Sequence, residues 1–323
     1  MNKVMVTGGA GYIGATTLHH LIQAGYAPES LVVVDNFCRG HRDAVARGVS
    51  VVEADLRDRA AILKVFQDNA IDNVIHFAGF AYIGESMEDP EAYFRNNFMA
   101  GLNVLHAMAE TGCGNIVFSS TCATYGIPET MPITEQTPQA PINPYGESKL
   151  MFERALRWFK ACHGIRHVAL RYFNAAGADY GTGARHDPET RIIPLALLAV
   201  LGRIPFFQVF GDDYDTPDGT CIRDYVHVTD LAEAHKLALE HLRGGGESLQ
   251  LNLGTGHGTS VLKVIAAVER ITGKDVPYVI SPRRAGDPAV LVANSARAEI
   301  ALGWRTRRDL DDIIRSAWEW RRP

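Results

Sequence analysis

The stretch Gly8-Gly9-Ala10-Gly11-Tyr12-Ile13-Gly14 stands between a short β-branched run and a segment of helical periodicity. It contains the spacing G-x-G-x-x-G from Gly9 and G-x-x-G-x-x-G from Gly8. Glycines at these spacings permit a tight turn, a close approach of backbone to a pyrophosphate and close helix–strand packing. The N-terminus of the following helix supplies N–H donors to the phosphates. The stretch therefore predicts a dinucleotide site, in which we expect Gly8, Gly11, Tyr12, Ile13 and Gly14 to contact the cofactor.

An acidic residue stands at the end of the next β-branched run. Asp35 follows Gly14 by 21 residues, and a carboxylate at this place binds the ribose hydroxyls of the adenosine half. The same carboxylate repels a 2′-phosphate, which favours NAD over NADP. Arg39 and Arg42 lie close by and leave NADP open. The alternative is a bare glycine-rich turn with Asp35 as a helix cap.

The first half of the chain alternates strands with longer amphipathic helices. The pattern predicts strands at 3–7, 31–35, 49–53, 73–77, 115–119 and 167–172, and helices at 13–24, 59–69, 91–110 and 144–163. Such alternation indicates an α/β fold with a doubly wound parallel Rossmann sheet. Ligands bind beyond the carboxyl ends of such strands. Residues 8–14, 35, 77–81 and 119–121 are therefore expected along one edge.

The composition changes after about residue 174, where glycine and proline become frequent. We expect a dinucleotide-binding domain over 1–174 and a smaller C-terminal substrate-binding lobe over 175–323, with some segments of the lobe returning to the first domain.

Bulk properties narrow the class of protein. The net charge of −5 over 323 residues offers no basic face for nucleic acid. The longest apolar run, 192–201, is too short for a membrane span and contains Pro194. Five scattered cysteines without a C-x-x-C pair suit a reducing compartment. No metal is expected, because no H-E-x-x-H or His/Cys cluster occurs. We expect a cytoplasmic protein whose first strand, at 3–7, leaves no room for a leader.

A tyrosine and a lysine four residues apart form the candidate catalytic pair. Tyr145 and Lys149 follow Asn143-Pro144, a helix cap with a first-turn proline, and project from one helical face. An ammonium group and a cationic nicotinamide ring would both lower the phenol pKa towards the range of a base. Thr121, at the end of the fifth strand, could complete a hydrogen-bond triangle with them. Taken alone, the pair could equally be an exposed aromatic–lysine pair.

The ordered set of motifs resembles the extended short-chain dehydrogenase/reductase family and, within it, the UDP-glucose 4-epimerase family over nearly the whole length. The motifs are residues 7–14, Asp35-Asn36, Asp55-Leu56, His76-Phe77-Ala78-Gly79, Gly84-Glu85-Ser86, Ser119-Ser120-Thr121, residues 144–149, Arg171-Tyr172-Phe173-Asn174, residues 219–225 and residues 283–287.

The resemblance implies further site residues. For the cofactor, taken as NAD, these are Asn36, Gly40, Asp55, Leu56, Phe77, Ala78, Gly79, Ala81, Asn96 and Phe173, with Thr121, Tyr145 and Lys149 catalytic. For a UDP-sugar substrate they are Asn174, Gln208, Val209, Phe210, Arg223, Arg284 and Asp287. The arginines agree with the chemistry, because a diphosphate needs fixed cationic forks.

The implied reaction inverts C4 of the sugar. Hydride leaves C4 for NAD, and after the 4-keto sugar turns over it returns to the opposite face. The alternatives are a nucleotide-sugar 4,6-dehydratase, a decarboxylase, or a non-catalytic dinucleotide-binding sensor or scaffold. Dehydratases of the family carry Asp-Glu after the strand-end threonine, whereas Cys122-Ala123 stands here.

Three departures bear on the substrate. Ala81 replaces a lysine frequent in hexose enzymes, and residues 121–126 and 141–145 resemble UDP-arabinose (xylose) 4-epimerases. Leu291 aligns with a residue that gates 2-acetamido groups and is smaller than the tyrosine of strict hexose enzymes. The sequence therefore predicts activity on more than one of UDP-glucose, UDP-xylose and UDP-N-acetylglucosamine. We also expect a homodimer that uses the helices at 91–110 and 145–163.

Overall fold

The computed structural model describes residues 3–284 and 286–322. Its strands are β1 (Lys3–Thr7), β2 (Leu31–Asp35), β3 (Ser50–Glu53), β4 (Ile71–His76), β5 (Asn115–Thr121), β6 (Arg166–Tyr172), β7 (Asn174–Ala176), β8 (Phe207–Phe210), β9 (Ile222–His227), β10 (Leu249–Leu253), β11 (Gly258–Ser260), β12 (Tyr278–Ser281) and β13 (Val290–Leu291). Its helices are α1 (Tyr12–Gln23), α2 (Arg59–Asn69), α3 (Ile83–Glu88), α4 (Pro90–Tyr93), α5 (Ala100–Thr111), α6 (Pro144–His163), α7 (Ile192–Val200), α8 (Val228–Arg243), α9 (Val261–Thr272), α10 (Ala296–Leu302) and α11 (Leu310–Arg321).

A seven-stranded sheet has the order β10-β6-β5-β4-β1-β2-β3. The pairings β1–β2, β1–β4, β2–β3 and β4–β5 are parallel. The strand order reverses at β1, because its neighbours are β2 and β4. In such a sheet the crevice at the reversal is where a ligand binds. The α/β doubly wound parallel fold is confirmed.

Helices cover both faces of this sheet. Val32 and Val34 of β2 share a buried core with Ile62 of α2, Val104 of α5 and Phe152 of α6. Val33 stands between those two valines and points to the opposite face, where it lies beside Leu18 of α1. The short apolar strands are buried on both sides, which explains why they are continuous runs of valine and isoleucine without alternation.

Local signals set the helix boundaries near the site. The Asn143 side chain accepts a 2.8 Å hydrogen bond from the Gly146 N–H and caps α6, with Pro144 in the first turn. Asp58 caps α2 in the same way through the Ala61 N–H at 3.0 Å. The helices at 59–69 and 144–163 and the strands at 3–7 and 31–35 have their predicted bounds, and the other predicted strands shift by one or two residues at an end.

The segment predicted as one helix over 91–110 differs in its interior. It consists of α4, a π-helical stretch at Phe94–Met99, and α5. The prediction of a regular helix was wrong there, because a π-helical insertion leaves the apolar periodicity of its flanks intact. The stretch contains Asn96 and Asn97. These two polar residues therefore do not occupy the positions that a regular α-helix would give them.

The contacts divide the chain into two compact units. The first unit comprises residues up to 126, 138–171 and 232–251 and contains most of the seven-stranded sheet. The second unit comprises 127–137, 172–231 and residues from 252 onward. It contains a sheet of β7, β9, β11 and β13, the parallel pair β8–β12, and its own core, in which α7, α9 and α11 pack together.

Candidate active site

The glycine turn closes tightly after β1. Gly8 has a left-handed φ of +67°, and a Cβ on it would lie 2.6 Å from the Ala78 backbone nitrogen. A Cβ on Gly14 would lie 2.3 Å from the Gly8 carbonyl oxygen. Only glycine fits either position without displacing backbone. Gly11 is the N-cap of α1, and Tyr12 and Ile13 form the first helical turn. The turn has the shape that a pyrophosphate cradle requires.

Asp35 is fixed at the end of β2. Its carboxylate accepts hydrogen bonds from the Ala10 N–H at 3.1 Å and the Phe37 N–H at 2.8 Å. Burial raises its pKa, although the two N–H donors oppose that shift. A Cβ on Gly40 would lie 2.9 Å from an Asp35 carboxylate oxygen, so the absence of a side chain there leaves room beside the carboxylate. This arrangement fits an adenosine ribose.

The two nearby arginines are both paired with carboxylates. Arg39 donates two hydrogen bonds to Glu85, at 2.5 and 2.7 Å, and its guanidinium lies 4.0 Å from the Phe80 ring centroid. Arg42 pairs with Glu53 and lies 4.0 Å from the Phe37 ring centroid. Each guanidinium already forms an ion pair with a carboxylate and stacks over an aromatic ring. Neither is therefore available to bind the 2′-phosphate of NADP. The pairing strengthens the preference for NAD that Asp35 predicts.

Three of the cofactor residues that the resemblance implies, Asn36, Asp55 and Leu56, follow the ends of β2 and β3. The Asp55 carboxylate accepts hydrogen bonds from Arg57, at 2.6 and 2.9 Å, and from the Asn36 amide at 3.1 Å. The Arg57 guanidinium holds the pKa of Asp55 well below its usual range. Leu56 is buried in the sheet core. Asn36, Asp55 and Leu56 therefore lie together near the carboxyl end of β2, where Asp35 stands.

The residues after β4 lead from the glycine turn to α6. The Phe77 and Ala78 N–H groups both donate to the Thr7 carbonyl oxygen, at 3.0 and 3.1 Å. A Cβ on Gly79 would lie 3.0 Å from the Lys149 Nζ atom. The glycine therefore brings the end of β4 within contact of the lysine side chain. The predicted contacts beyond it differ in burial, since Ala81 is exposed and Asn96 is half-buried.

The three residues expected to be catalytic lie together in the first unit. The half-buried Tyr145 phenol shares a hydrogen bond with the Thr121 hydroxyl. The Lys149 Nζ donates a 3.0 Å hydrogen bond to the Ser119 carbonyl oxygen and lies 5.0 Å from the Phe118 ring centroid. Its side chain is only 4% exposed. Thr121, Tyr145 and Lys149 are thus brought together at the end of β5 and the first turns of α6.

One electrostatic expectation requires correction. In the protein alone, burial raises the pKa of Tyr145 to about 12, and the Thr121 hydrogen bond opposes that rise. The lysine was expected to lower the phenol pKa, but its ammonium group bonds to Ser119 and desolvation of the ring is the larger effect. Burial also lowers the pKa of Lys149 to about 8.

The predicted substrate residues lie in the second unit, as does Phe173. Phe173 is buried and its N–H donates to the Leu253 carbonyl oxygen at 3.2 Å. The Asn174 amide donates to the Asp224 carbonyl oxygen at 3.2 Å. Along β8, Gln208 is exposed and Phe210 half-buried, whereas the Val209 side chain belongs to the core. Val209 could therefore contact a ligand only through its main chain.

The two predicted arginines converge on one region of that unit. Arg223 is 6% exposed and pairs with Asp287. The Arg284 guanidinium lies 3.9 Å from the Phe210 ring centroid. Leu291 stands opposite Arg223 in the parallel register of β13 and β9. Asp287 and Leu291 thus lie beside Arg223, and Arg284 lies over Phe210. Ala285, part of the motif at 283–287, is outside the described residues.

Sequence reasoning missed three polar groups near Tyr145 and Lys149. Asn97 accepts a hydrogen bond from the Phe80 N–H at 2.7 Å and donates to the Ser148 hydroxyl at 3.1 Å. Tyr93 donates to Glu85 at 2.8 Å, and its ring centroid lies 6.4 Å from that of Tyr145. Glu153 forms a buried ion pair with Arg171. A carboxylate one turn beyond Lys149 on the same helical face was the available signal for Glu153.

The described residues contain neither a membrane-spanning helix nor a cluster of metal-binding side chains. Within 3–284 and 286–322, no helix has the length and apolar character required to cross a membrane. The same residues contain no group of three or more His, Cys, Asp or Glu side chains that could hold a metal ion.

The fold and site define a dinucleotide-binding α/β protein with a tyrosine–lysine pair at the carboxyl edge of its sheet. The chain belongs to the NAD dependent epimerase/dehydratase family, whose model matches residues 4–254. It is 47% identical to the UDP-glucose 4-epimerase of Lacticaseibacillus casei over 320 aligned residues. The aligned region covers 98% of this chain and 96% of the relative.

Solved structures give the same picture. The UDP-glucose 4-epimerase of Brucella ovis, in complex with NAD, has a TM-score of 0.95 and 50% identity, with 99% of this chain and 98% of that chain covered. The UDP-glucose-4-epimerase of Stenotrophomonas maltophila, with bound NAD and formylated UDP-arabinopyranose, has a TM-score of 0.94 and 40% identity, with 99% and 98% covered.

Proposed function

We propose that the protein is an NAD-dependent enzyme that inverts C4 of a UDP-sugar, with UDP-glucose and UDP-galactose as its main pair. The observation that carries the proposal is the hydrogen-bonded pair of Thr121 and Tyr145 beside Lys149, at the sheet edge that also holds the glycine turn. The relatives named UDP-glucose 4-epimerase match the chain over nearly its full length, which supports this choice among the reactions of the family.

The residues fit NAD as a resident cofactor. The glycine turn has no room for side chains at Gly8 and Gly14. Asp35 presents a fixed carboxylate, and Gly40 beside it has no side chain that would fill the space next to that carboxylate. We assign the pyrophosphate to Gly8, Gly11 and the first turn of α1. The ribose is assigned to Asp35. Asp55 and Leu56 are assigned to the adenine, and Asn36, Phe77–Gly79, Ala81, Asn96 and Phe173 to the remainder of the cofactor.

The catalytic step begins with a proton transfer at O4 of the sugar. When bound, NAD supplies a hydride acceptor for C4 and a positive ring charge that favours the Tyr145 phenolate. Tyr145 removes the O4 proton, and Thr121 holds the phenol in place and stabilises its anion. Lys149 keeps its buried cationic head against Ser119, close to Gly79. Tyr145 returns the proton when C4 is reduced on the other face.

The residues assigned to the nucleotide belong to the second unit. Arg223 and Arg284 offer guanidinium forks to the diphosphate, and the Phe210 ring offers a flat apolar face. Firm binding of UDP together with loose binding of the sugar lets the 4-keto intermediate turn over. Asn174, Gln208, the Val209 main chain and Asp287 complete the assigned contacts.

A single incubation separates this function from its alternatives. Purified protein is supplied with UDP-galactose, and the products are resolved by anion-exchange chromatography. We expect UDP-glucose. A 4-keto-6-deoxy product would indicate a dehydratase, although Cys122-Ala123 supplies no carboxylates after Thr121. Absence of any product would favour a sensor or scaffold. Tyr145→Phe should lose epimerisation while it retains UDP binding.

We also propose a substrate range wider than hexoses. Leu291 stands in register with Arg223, which supports its alignment with the residue that gates 2-acetamido groups. A relative from Stenotrophomonas maltophila was solved with formylated UDP-arabinopyranose, and this supports a test of pentoses. The kcat/KM values for UDP-glucose, UDP-xylose and UDP-N-acetylglucosamine would decide the question. Strong preference for one sugar would contradict the wider range.

The assembly and location form a further part of the proposal. Trp158 on α6 is 71% exposed and Met99, just before α5, is 56% exposed, and such apolar side chains suit a homodimer contact between these helices. Light scattering after size-exclusion chromatography tests it, and a monomeric mass would contradict it. The five free cysteines support a cytoplasmic location.

A further inference from the structure

A carboxylate with no role in the reaction described above is buried beneath the catalytic helix. Glu153 lies two turns beyond Tyr145 on α6 and is 5% exposed. It accepts hydrogen bonds from the Arg171 guanidinium, at 2.6 to 3.2 Å, and from the Ser120 hydroxyl at 2.5 Å. One carboxylate therefore ties α6 to β5 and β6 at once.

The same group reaches the residues around Thr121. Ser120 directly precedes Thr121 at the end of β5. Arg171 donates a 2.8 Å hydrogen bond to the Tyr125 hydroxyl, and Tyr125 ends the 3-10 turn of residues 122–125 that Thr121 caps. Glu153 and Arg171 thus hold the strand before Thr121 and the turn after it.

Stability does not by itself account for this pair. Burying two charges removes them from water, and well-packed apolar residues of similar volume often serve stability equally well or better. What an ion pair adds is direction, since a carboxylate and a guanidinium fit in a fixed geometry. A fixed geometry matters most at this place because α6 carries Tyr145 and β5 carries Thr121.

We propose that Glu153 and Arg171 are positioning residues, which hold α6 against the end of β5 and keep the Thr121 hydroxyl on the Tyr145 phenol. This inference rests on the proposed function, in which Tyr145 must ionise to take a proton. Without the pair, the two elements would drift apart and the phenol would lose the hydrogen bond that favours its anion.

The other groups near Tyr145 stay the same in the variants that test this role. The titratable groups beside the phenol are Cys122 on the turn after β5 and Tyr93 on α4, and Lys149 lies one turn further along the same helix. None of these three bonds to Glu153 or Arg171 in the contacts described above. A change in Tyr145 ionisation would therefore report on the end of β5, which carries Thr121 and the Ser119 carbonyl oxygen that holds Lys149.

Two mild variants loosen the pair without exposing a charge. Ser120→Ala removes the hydroxyl between Glu153 and β5, and Tyr125→Phe removes the hydroxyl between Arg171 and the turn. We expect each to lower kcat/KM for UDP-galactose about tenfold at pH 7 with KM nearly unchanged, because raising the phenol pKa by one unit lowers the phenolate fraction about tenfold. In the NAD-loaded enzyme, whose cationic ring lowers the phenol pKa from its cofactor-free value of about 12, the loss should become smaller at pH 9. Glu153→Gln keeps the shape of the side chain and should show a larger loss with the same recovery.

A matched control removes a buried hydroxyl elsewhere. Ser30 is 9% exposed and donates to the Ala27 carbonyl oxygen at the start of β2, and Ser30→Ala should leave the pH profile unchanged. A loss in Ser120→Ala and Tyr125→Phe that is equal at all pH values would indicate a merely structural role and overturn the proposal. Wild-type profiles in both variants would overturn it as well.

A spectroscopic titration separates this proposal from the proposed function. The tyrosinate absorbance of the NAD-loaded protein, minus that of Tyr145→Phe, gives the ionisation midpoint of Tyr145 without any turnover. We expect Ser120→Ala to raise this midpoint. If wild type fails to epimerise UDP-sugars and the midpoint still rises, the function is wrong and the positioning role stands. An unchanged midpoint overturns the positioning role, whatever the activity.

Discussion

The Lys149 Nζ atom lies 3.0 Å from the position that a Cβ on Gly79 would occupy, and Asn97 Oδ1 lies 3.3 Å from the same point. The loop after β4 and the helix α6 therefore meet with no space for one methyl group. Lys149 is also held by the Ser119 carbonyl oxygen, so it cannot move without breaking a buried hydrogen bond.

Gly79→Ala is expected to displace the lysine and lower kcat by about ten- to a hundredfold, since small displacements of catalytic groups have effects of this size. Steady-state kinetics with UDP-galactose measure it. Gly114→Ala is the control, because a Cβ there meets nothing within 4 Å. Equal kcat values for the two variants would show that the Gly79 contact does not matter.

The Arg39–Glu85 pair joins the loop after β2 to α3, which follows β4. Because β2 and β4 flank β1 in the sheet, the pair bridges the end of β1, where the glycine turn lies. Arg39→Ala should speed the release of NAD by about threefold to fivefold, in line with the ≤1 kcal/mol of a half-exposed pair. Displacement of a fluorescent reduced cofactor measures the rate. Arg42→Ala, which breaks the neighbouring pair with Glu53, should leave it unchanged, and equal effects would contradict the bridge.

Thr121→Val should raise the pKa of Tyr145, because the threonine hydroxyl is the group that lowers it. The acidic limb of the kcat/KM profile would then move to higher pH, and activity at pH 7 would fall more than activity at pH 9. Thr121→Ser keeps the hydroxyl and should preserve the wild-type limb. A valine variant with an unshifted limb would exclude the threonine from proton transfer.

Acid should destabilise the fold through His76. Burial lowers its pKa to about 3, and its ring nitrogen is paired with the Thr7 hydroxyl at 2.7 Å. The unfolded chain takes up a proton near pH 6.5 and the folded chain does not, so stability is lost as pH falls below 6.5. Between pH 7 and pH 5 we expect this group to remove about 2 kcal/mol of unfolding free energy. Urea unfolding of wild type and His76→Gln measures it, and parallel losses in the two proteins would contradict the assignment.

Much of the fold could be predicted from the sequence, since its signals are local. The glycine turn, Asp35 and the cap at Asn143-Pro144 each lie within a few residues of the element that they define. The π-helical stretch could not be predicted, because Asn96 and Asn97 interrupt an apolar pattern that continues in register on both sides.

The site was predictable only where residues share an element. Tyr145 and Lys149 are one turn apart on α6, and their proximity follows from helical geometry. Three ion pairs join residues that are 18 to 64 positions apart, namely Glu153–Arg171, Arg39–Glu85 and Arg223–Asp287. The sequence near each residue does not identify its partner. The burial that raises the pKa of Tyr145 in the protein without NAD likewise cannot be read from the residues next to it in sequence.

The proposed chemistry is tested most directly with UDP-galactose that carries deuterium at C4 of the sugar. Because the same hydride should leave C4 and return to it within one binding event, proton NMR of the UDP-glucose formed should show deuterium still at C4. Tyr145→Phe should form no UDP-glucose above background. UDP-glucose that carries solvent-derived or ordinary hydrogen at C4 would contradict the account.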